Sequence, residues 1–237
     1  MPMKLCDLHT HVLPGVDDGA ANMEYALQML QNAAASEVSL LAATPHWNAQ
    51  GTNTALLTDL RQRFCRLRQA AAQIPVELVL GAEVLVTEPL SPGSLPTLND
   101  SRYLLTELPG SLEAAACETL LQSVLDRGYV PLVAHPERYA SVIRDPWTVA
   151  SWLDMGCHIQ ITGESILGNH GRSIRETAAF LLQKGLVACI ASDAHGLNRR
   201  SNYLLDVYDH LCVHYSRHYA QSLMEEIPRR ILHDQPL

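Results

Sequence analysis

Lysine is almost absent from this chain, and its cysteines form no pattern. Only Lys4 and Lys184 are lysine among 237 residues, and the formal charge is -8. An acidic chain without basic runs is poorly suited to tracking a phosphodiester backbone, so nucleic acid is not expected as a partner. The six cysteines (Cys6, Cys65, Cys117, Cys157, Cys189, Cys212) include no Cys-x-x-Cys pair and sit mostly in apolar stretches. That is how free buried thiols are distributed, and it argues against a disulfide framework. No apolar run is long enough to span a bilayer. Met1-Pro2-Met3-Lys4 leads straight into a strand candidate rather than a secretory signal, so a cytoplasmic protein without a membrane span is expected.

What is present is a regular alternation. Short, largely apolar runs read as strands buried on both faces: Lys4–Leu8, Ser39–Ala43, Val76–Ala82, Tyr103–Glu107, Pro131–Ala134, His158–Thr162 and Val187–Ala191. Helical patterns lie between and after them, at Asn22–Ala35, Thr54–Gln73, Glu113–Asp126, Pro146–Met155, Gly171–Lys184, Arg199–His214 and Arg217–Glu226. Strand-then-helix alternation predicts a parallel sheet wrapped by helices. Seven strands in a chain of this length suggest an α/β fold of one domain, residues 1–237, closed or nearly closed into a barrel.

Histidines and carboxylates gather where these strands end. Asp7-Leu8-His9-Thr10-His11 closes the first, and His9 and His11 point the same way because side-chain direction repeats every second residue. Asp17-Asp18-Gly19, Thr44-Pro45-His46, Gly81-Ala82-Glu83, Glu107, His135-Pro136-Glu137-Arg138 and Ser192-Asp193-Ala194-His195 follow. The C-terminal ends of barrel strands are where active sites are built. A carboxylate can bridge two cations, and Glu83 is the best candidate for a bridge. With only nitrogen and oxygen donors the set suits manganese, iron or zinc.

Simpler readings exist for single residues. His46 could pack on Pro45, Asp18 could cap the helix near Asn22, and Glu107 could pair with Arg102 or Arg138. An accidental array of His9, His11, His46, Glu83, His135, Asp193 and His195 is improbable. His210, His214 and His218 share a helical spacing but lack companion carboxylates, so a helix face explains them better. His158 and His233 have no motif support, and His170, in a Gly-Asn-His-Gly loop, could border the site.

The motifs Asp-x-His-x-His, Leu-Pro-Gly-Val-Asp-Asp-Gly, Ala-Thr-Pro-His, Gly-Ala-Glu, Asn-Asp-Ser-Arg-Tyr, Ala-His-Pro-Glu-Arg-Tyr and Ala-Ser-Asp-Ala-His resemble the PHP (polymerase and histidinol phosphatase) superfamily. More narrowly they resemble its bacterial metal-dependent protein-tyrosine phosphatases of the CpsB/YwqE type, which regulate capsule and exopolysaccharide synthesis. The resemblance runs from Asp7 to Leu232. It implies a distorted seven-stranded β/α (TIM-like) barrel holding two or three divalent ions, most simply manganese. His9, His11, Glu83 and Asp193 would hold the first ion, Glu83 and His135 the second, and Asp18, His46, Glu107 and His195 the third. Arg138 and Arg200 match arginines that bind phosphate in the family, although the adjacent Arg199 could replace Arg200. The implied partner is the phosphotyrosine tail of a bacterial tyrosine kinase. Trp47–Asn53 is short and lacks the basic residues often found after the Thr-Pro-His motif, which puts substrate contacts there in question.

Rival chemistries can be weighed on single residues. No cysteine has an arginine six positions on, so a cysteine-nucleophile phosphate loop is excluded; the residue six after Cys189 is His195. Lys4 precedes the first strand and Lys184 ends a helix, which excludes barrels whose metals are bridged by a modified lysine. A histidinol-phosphate or other small phosphomonoester phosphatase stays open as an alternative. A metal-stabilised binding protein without turnover is the non-enzyme reading.

Overall fold

The structure, a computed structural model, describes residues 4–51, 54–198, 200–201 and 203–237. Nine strands run through it: β1 (Leu5–Thr10), β2 (Val38–Ala43), β3 (His46–Asn48), β4 (Glu77–Leu80), β5 (Glu83–Leu85), β6 (Tyr103–Glu107), β7 (Val130–Ala134), β8 (His158–Thr162) and β9 (Cys189–Ala191). All pairings are parallel, in a three-stranded sheet ordered β1-β2-β4 and a six-stranded sheet ordered β3-β5-β6-β7-β8-β9.

Nine strands occupy seven positions. β2 leads into β3 across Thr44-Pro45, and β4 leads into β5 across Gly81-Ala82. The Gly81 amide donates to Ala43 O at 3.0 Å and the Glu83 amide to Pro45 O at 3.0 Å, so the two interrupted strands stay side by side. Pro45 has no amide hydrogen to continue a ladder, which is one reason the pairing breaks there. At the other flank β1 meets β9, with Asp193 N donating to His9 O (2.8 Å) and His11 N to Ala194 O (2.9 Å). The architecture is a distorted β/α barrel whose ladder is split into two sheets. The third strand, read as Val76–Ala82 with Glu83 just beyond it, is corrected: it is two pieces, and Glu83 opens the second. His46 likewise opens a short strand rather than lying in a loop.

The helices are α1 (Met23–Ala35), α2 (Thr54–Ala70), α3 (Ala114–Asp126), α4 (Ala140–Arg144), α5 (Thr148–Asp154), α6 (Gly163–Leu167), α7 (Arg172–Gln183), α8 (Leu205–His214), α9 (Arg217–Gln221) and α10 (Ile227–Leu232). Asn22, not Asp18, caps α1: its side-chain oxygen accepts from Tyr25 N at 2.9 Å. Ala26, Met29, Leu30 and Ala33 then form one buried stripe on α1, and Cys117, Leu120, Leu121 and Val124 do the same on α3. The pattern read as one helix over Arg217–Glu226 is α9 followed by a wider π turn, Ser222–Glu226. The pattern read over Arg199–His214 is helical only from Leu205, and Arg199 lies outside the described residues.

Strand side chains divide by period two. Leu41, Leu104, Val133 and Ile190 join the large core between strands and helices. Leu40, Ala42, Tyr103, Leu105, Leu132 and Ala134 join a smaller core with Cys6, Leu8 and Cys189, which fills the barrel interior. Ile231 and Leu232 of α10 pack into that interior. Packed side chains close the lower barrel, and the polar strand ends are left to form the mouth.

Candidate metal centre

β1 delivers His9 and His11 to the mouth, and both side chains are fully buried. Each ring is held by its Nδ1. His9 Nδ1 donates to Gln160 Oε1 of β8 at 2.9 Å, and His11 Nδ1 to Asp17 Oδ2 at 2.7 Å. Those bonds turn both Nε2 atoms inward, where they face each other at 3.3 Å. The same point is ringed by Glu83 Oε2, at 3.3 Å from His9 and 3.4 Å from His11, and by Asp193 Oδ1, at 3.4 and 3.5 Å.

The loop after β1 is pressed against His11. Ala20 N donates to His11 O at 2.9 Å, and a Cβ on Gly19 would overlap the His11 carbonyl oxygen and its Cβ. Only glycine lets the turn approach so closely. That approach puts Asp17 under His11 and sends Asp18 toward His46 and His195, both with Nε2 at 3.3 Å from Asp18 Oδ1. Asp17 Oδ2 also accepts from the His46 amide at 3.0 Å. His195 Nε2 is buried and takes part in no hydrogen bond, while its Nδ1 meets Asp193 O at 3.0 Å.

His135 and Asp193 follow β7 and β9 with φ of 37° and 52°. Left-handed backbone at a residue other than glycine costs about 1–3 kcal/mol and persists where its surroundings impose it. Here both residues turn at a strand end. His135 Nε2 reaches Glu83 Oε1 at 2.8 Å. Asp193 is gripped by two arginines, with Arg138 Nη1 2.7 Å from Oδ2 and Arg200 Nη2 2.7 Å from both oxygens.

Among the described residues three groups of donor atoms result, each able to surround a cation: His9, His11, Glu83 and Asp193; His11, Asp18, His46 and His195; and His46, Glu83 and Glu107. Glu83 and His46 each belong to two groups, as does His11. The groups differ from the family-based allotment, beginning with His11, which also joins Asp18, His46 and His195. Glu107 lies with His46 and Glu83, not with Asp18 and His195, and His135 contacts Glu83 without joining a group. The ion pairs considered for Glu107 are not the ones Arg102 and Arg138 make: Arg102 holds Asp234 at 2.9 Å and Arg138 holds Asp193. His210 and His214 lie with ring centroids 4.2 Å apart, tilted by 40°, on α8 and belong to no group among the described residues.

The field at the mouth demands positive charge. Burial works against the His11 imidazolium, yet Asp17, Asp193 and Glu83 outweigh it and lift the pKa well above the ordinary value. His9 rises in the same way, burial again losing to Glu83 and Asp193. Glu83 and Asp193 move oppositely: burial would raise them, but the surrounding imidazoles hold both carboxyls well below their usual range. Glu107 is raised, by burial first and the Glu83 charge second. His195 is brought down to about 4 by burial, His11 and Arg200. Two Nε2 atoms facing each other beside buried carboxylates form a poor set of hydrogen-bonding partners and a good set of ligands. Divalent cations fit this donor set and supply the missing charge without protons.

Three supporting residues were not singled out from sequence as site residues: Asp17, Gln160 and Asp7. Asp7 is fully buried and accepts from Ser192 N at 3.0 Å and His9 N at 3.3 Å, bracing β1 against the segment after β9. Burial raises its carboxyl to about 6, with the Ser192 and His9 hydrogen bonds opposing. A polar residue inside a strand buried on both faces, as in Leu5-Cys6-Asp7-Leu8 or Ile159-Gln160-Ile161, was the available signal.

Parallel strands, metal-type clusters at their C-terminal ends and paired arginines define a metal-centred β/α barrel. The sequence profile of the family "Capsular polysaccharide synthesis, CpsB/CapC" matches residues 5–233, and the chain belongs to that family. The tyrosine-protein phosphatase CpsB of Streptococcus pneumoniae is 30% identical over 242 residues, covering 98% of this chain and 99% of the relative. The tyrosine-protein phosphatase YwqE of Bacillus subtilis is 30% identical over 203 residues, 83% of this chain and 80% of the relative. A crystal structure from work on YwqE of Bacillus subtilis and CpsB of Streptococcus pneumoniae, described as unique metal-dependent tyrosine phosphatases, superposes with a TM-score of 0.87 at 25% identity, covering 98% of this chain and 95% of the other. The phosphotriesterase homology protein of Escherichia coli shares the fold, with a TM-score of 0.60 at 12% identity over 97% of this chain and 99% of its own.

Proposed function

We propose that this protein is a metal-dependent protein-tyrosine phosphatase that hydrolyses phosphotyrosine on the tail of a bacterial tyrosine kinase, and so regulates capsule or exopolysaccharide synthesis in the cytoplasm. The observation that carries the reading is the convergence of His9 and His11 Nε2 on buried Glu83 and Asp193 oxygens, with two arginine side chains on the same Asp193. Membership of the family and the named activity of its relatives support it. No helix among the described residues is long and apolar enough to cross a membrane, which agrees with a cytoplasmic site of action.

In this reading His9, His11, Glu83 and Asp193 hold one divalent ion. His11, Asp18, His46 and His195 would frame a second, and His46, Glu83 and Glu107 a third, with His135 against Glu83; manganese is the first choice, with iron or zinc also suited to these donors. Bound ions would supply Lewis acidity and a water of lowered pKa. The chain does the rest. Gln160 and Asp17 keep His9 and His11 presenting Nε2. Arg138 and Arg200 bind the equatorial phosphoryl oxygens and oppose the charge that spreads over them. A phenolate leaves without strong acid assistance, because its conjugate acid has a pKa of about 10.

The discriminating experiment compares phosphate release from a phosphotyrosyl peptide and from histidinol phosphate by the manganese-loaded protein. The peptide is expected to be preferred. A strong preference for histidinol phosphate would assign a small-molecule phosphatase, and no release from either would leave a metal-stabilised binding protein.

A further inference from the structure

Glu137 and Arg138 are neighbours on the short 3₁₀ turn Pro136–Arg138 that follows β7, and their side chains part. Arg138 reaches the mouth, whereas Glu137 is fully buried against the end of β8. One oxygen of Glu137, Oε1, accepts three hydrogen bonds: from Thr162 N at 3.0 Å, from Thr162 Oγ1 at 2.9 Å and from Ser165 Oγ at 2.7 Å. Thr162 and Ser165 are themselves buried, at the last residue of β8 and in α6. A hydroxyl has one hydrogen. With that hydrogen committed to Glu137, the remaining lone pairs of Thr162 Oγ1 are acceptors, and Arg138 Nη2 donates to them at 2.9 Å.

We infer that Thr162, with its hydroxyl oriented by Glu137, is the positioning residue for Arg138, setting where the guanidinium meets the phosphoryl group. Glu137 ties the turn to β8, and Thr162 returns that tie to the next residue along the chain. The buried contact fixes one edge of a side chain that otherwise has several rotatable bonds to order. Ser165 is the third member, since it shares the Glu137 oxygen and lies 2.7 Å from Thr162 Oγ1. Asp7, Gln160 and Asp17 brace the histidines, so this network is a separate support on the arginine's side, and Ser165 Oγ also meets His170 Nδ1 at 3.3 Å.

The inference rests on Arg138 as a phosphate-binding residue, and the test separates the two. Thr162→Val keeps the shape and removes the acceptor. An interaction held in both ground state and transition state shows in KM. With manganese-loaded protein and a phosphotyrosyl peptide, KM is expected to rise about tenfold, the scale of a hydrogen bond to a charged group, while kcat changes by less than about threefold. Inhibition by inorganic phosphate should weaken in parallel, with bound manganese and the thermal midpoint close to those of the parent. Thr162→Ser should bring KM back to within about twofold, and Ser165→Ala, which leaves Arg138 untouched, should move KM the same way by about threefold. In an Arg138→Ala background, Thr162→Val should add nothing. An unchanged KM in Thr162→Val, or an equal rise in the Arg138→Ala background, would overturn the positioning role with the arginine's role intact. An unchanged KM in Arg138→Ala itself would overturn both.

Discussion

Asp17 holds the Nδ1 side of His11 and anchors the His46 amide, so one carboxylate steadies two of the residues around the metal-type clusters. Burial would raise its pKa, but the His11 imidazole beside it prevails and the value falls to about 2. Removing such an outer partner lets the ring choose another tautomer and orientation. Asp17→Ala is therefore expected to lower manganese affinity about 10–100-fold by calorimetric titration while the fold persists. Unchanged affinity would mean that the ring is held by packing alone. At Cys189 the expectation runs the other way. The thiol is fully buried and burial pushes its pKa well up, so it cannot supply a thiolate near neutral pH. Cys189→Ser should keep its turnover of phosphotyrosyl peptide, whereas His135→Ala, which removes the imidazole 2.8 Å from Glu83, should lose it. A reversed pair of results in the same phosphate-release assay would point to cysteine chemistry.

Seven strand positions were legible because each strand is a short apolar run ending in polar residues, and β6, β7 and β8 lie nearly where that pattern puts them. What was not legible depends on contacts between distant segments. The breaks at Thr44-Pro45 and Gly81-Ala82 are matched to each other by hydrogen bonds between neighbouring strands, which no single run announces. α4 and α6 are five residues long, too short to show a helical period. Gln160 meets His9 across 151 positions, so its place in a buried strand marks it as polar and partnered while the partner itself depends on the folded barrel. The family-based allotment and the geometry part at Glu107, which groups with His46 and Glu83 rather than with Asp18 and His195. At the opposite end of β8, His158 is half-buried beside Tyr103, with ring centroids 5.9 Å apart. Burial lowers its pKa. The unfolded chain takes up that proton near pH 6.5 and the folded one does so only at lower pH, so this residue's effect on stability is absent above about pH 6.5, grows unfavourable as pH falls below it and levels off once the folded chain is protonated too. His158→Phe keeps a ring against Tyr103 and should flatten the fall in urea midpoint as pH drops below about 6.5. A profile that declines as steeply as the parent's would remove His158 from the account of acid lability.

At the scale of the whole molecule, the fold separates two jobs. The barrel interior is filled from below by strand side chains and by Ile231 and Leu232, which gives the mouth a packed, apolar floor. Above that floor sit carboxylates and imidazoles from β1, β3, β5 and β6 and from the segments after β1, β7 and β9, residues spread from His9 to His195 along the chain. Only closure of the fold brings them within ligand distance, and the field they create pulls the imidazole and carboxylate pKa values in opposite directions. The measurement that bears most directly on this is phosphate release from a phosphotyrosyl peptide before and after exhaustive chelation, followed by readdition of manganese. Turnover should vanish with the metal and return with it, without unfolding in between. Full turnover by the metal-free protein would contradict the assignment.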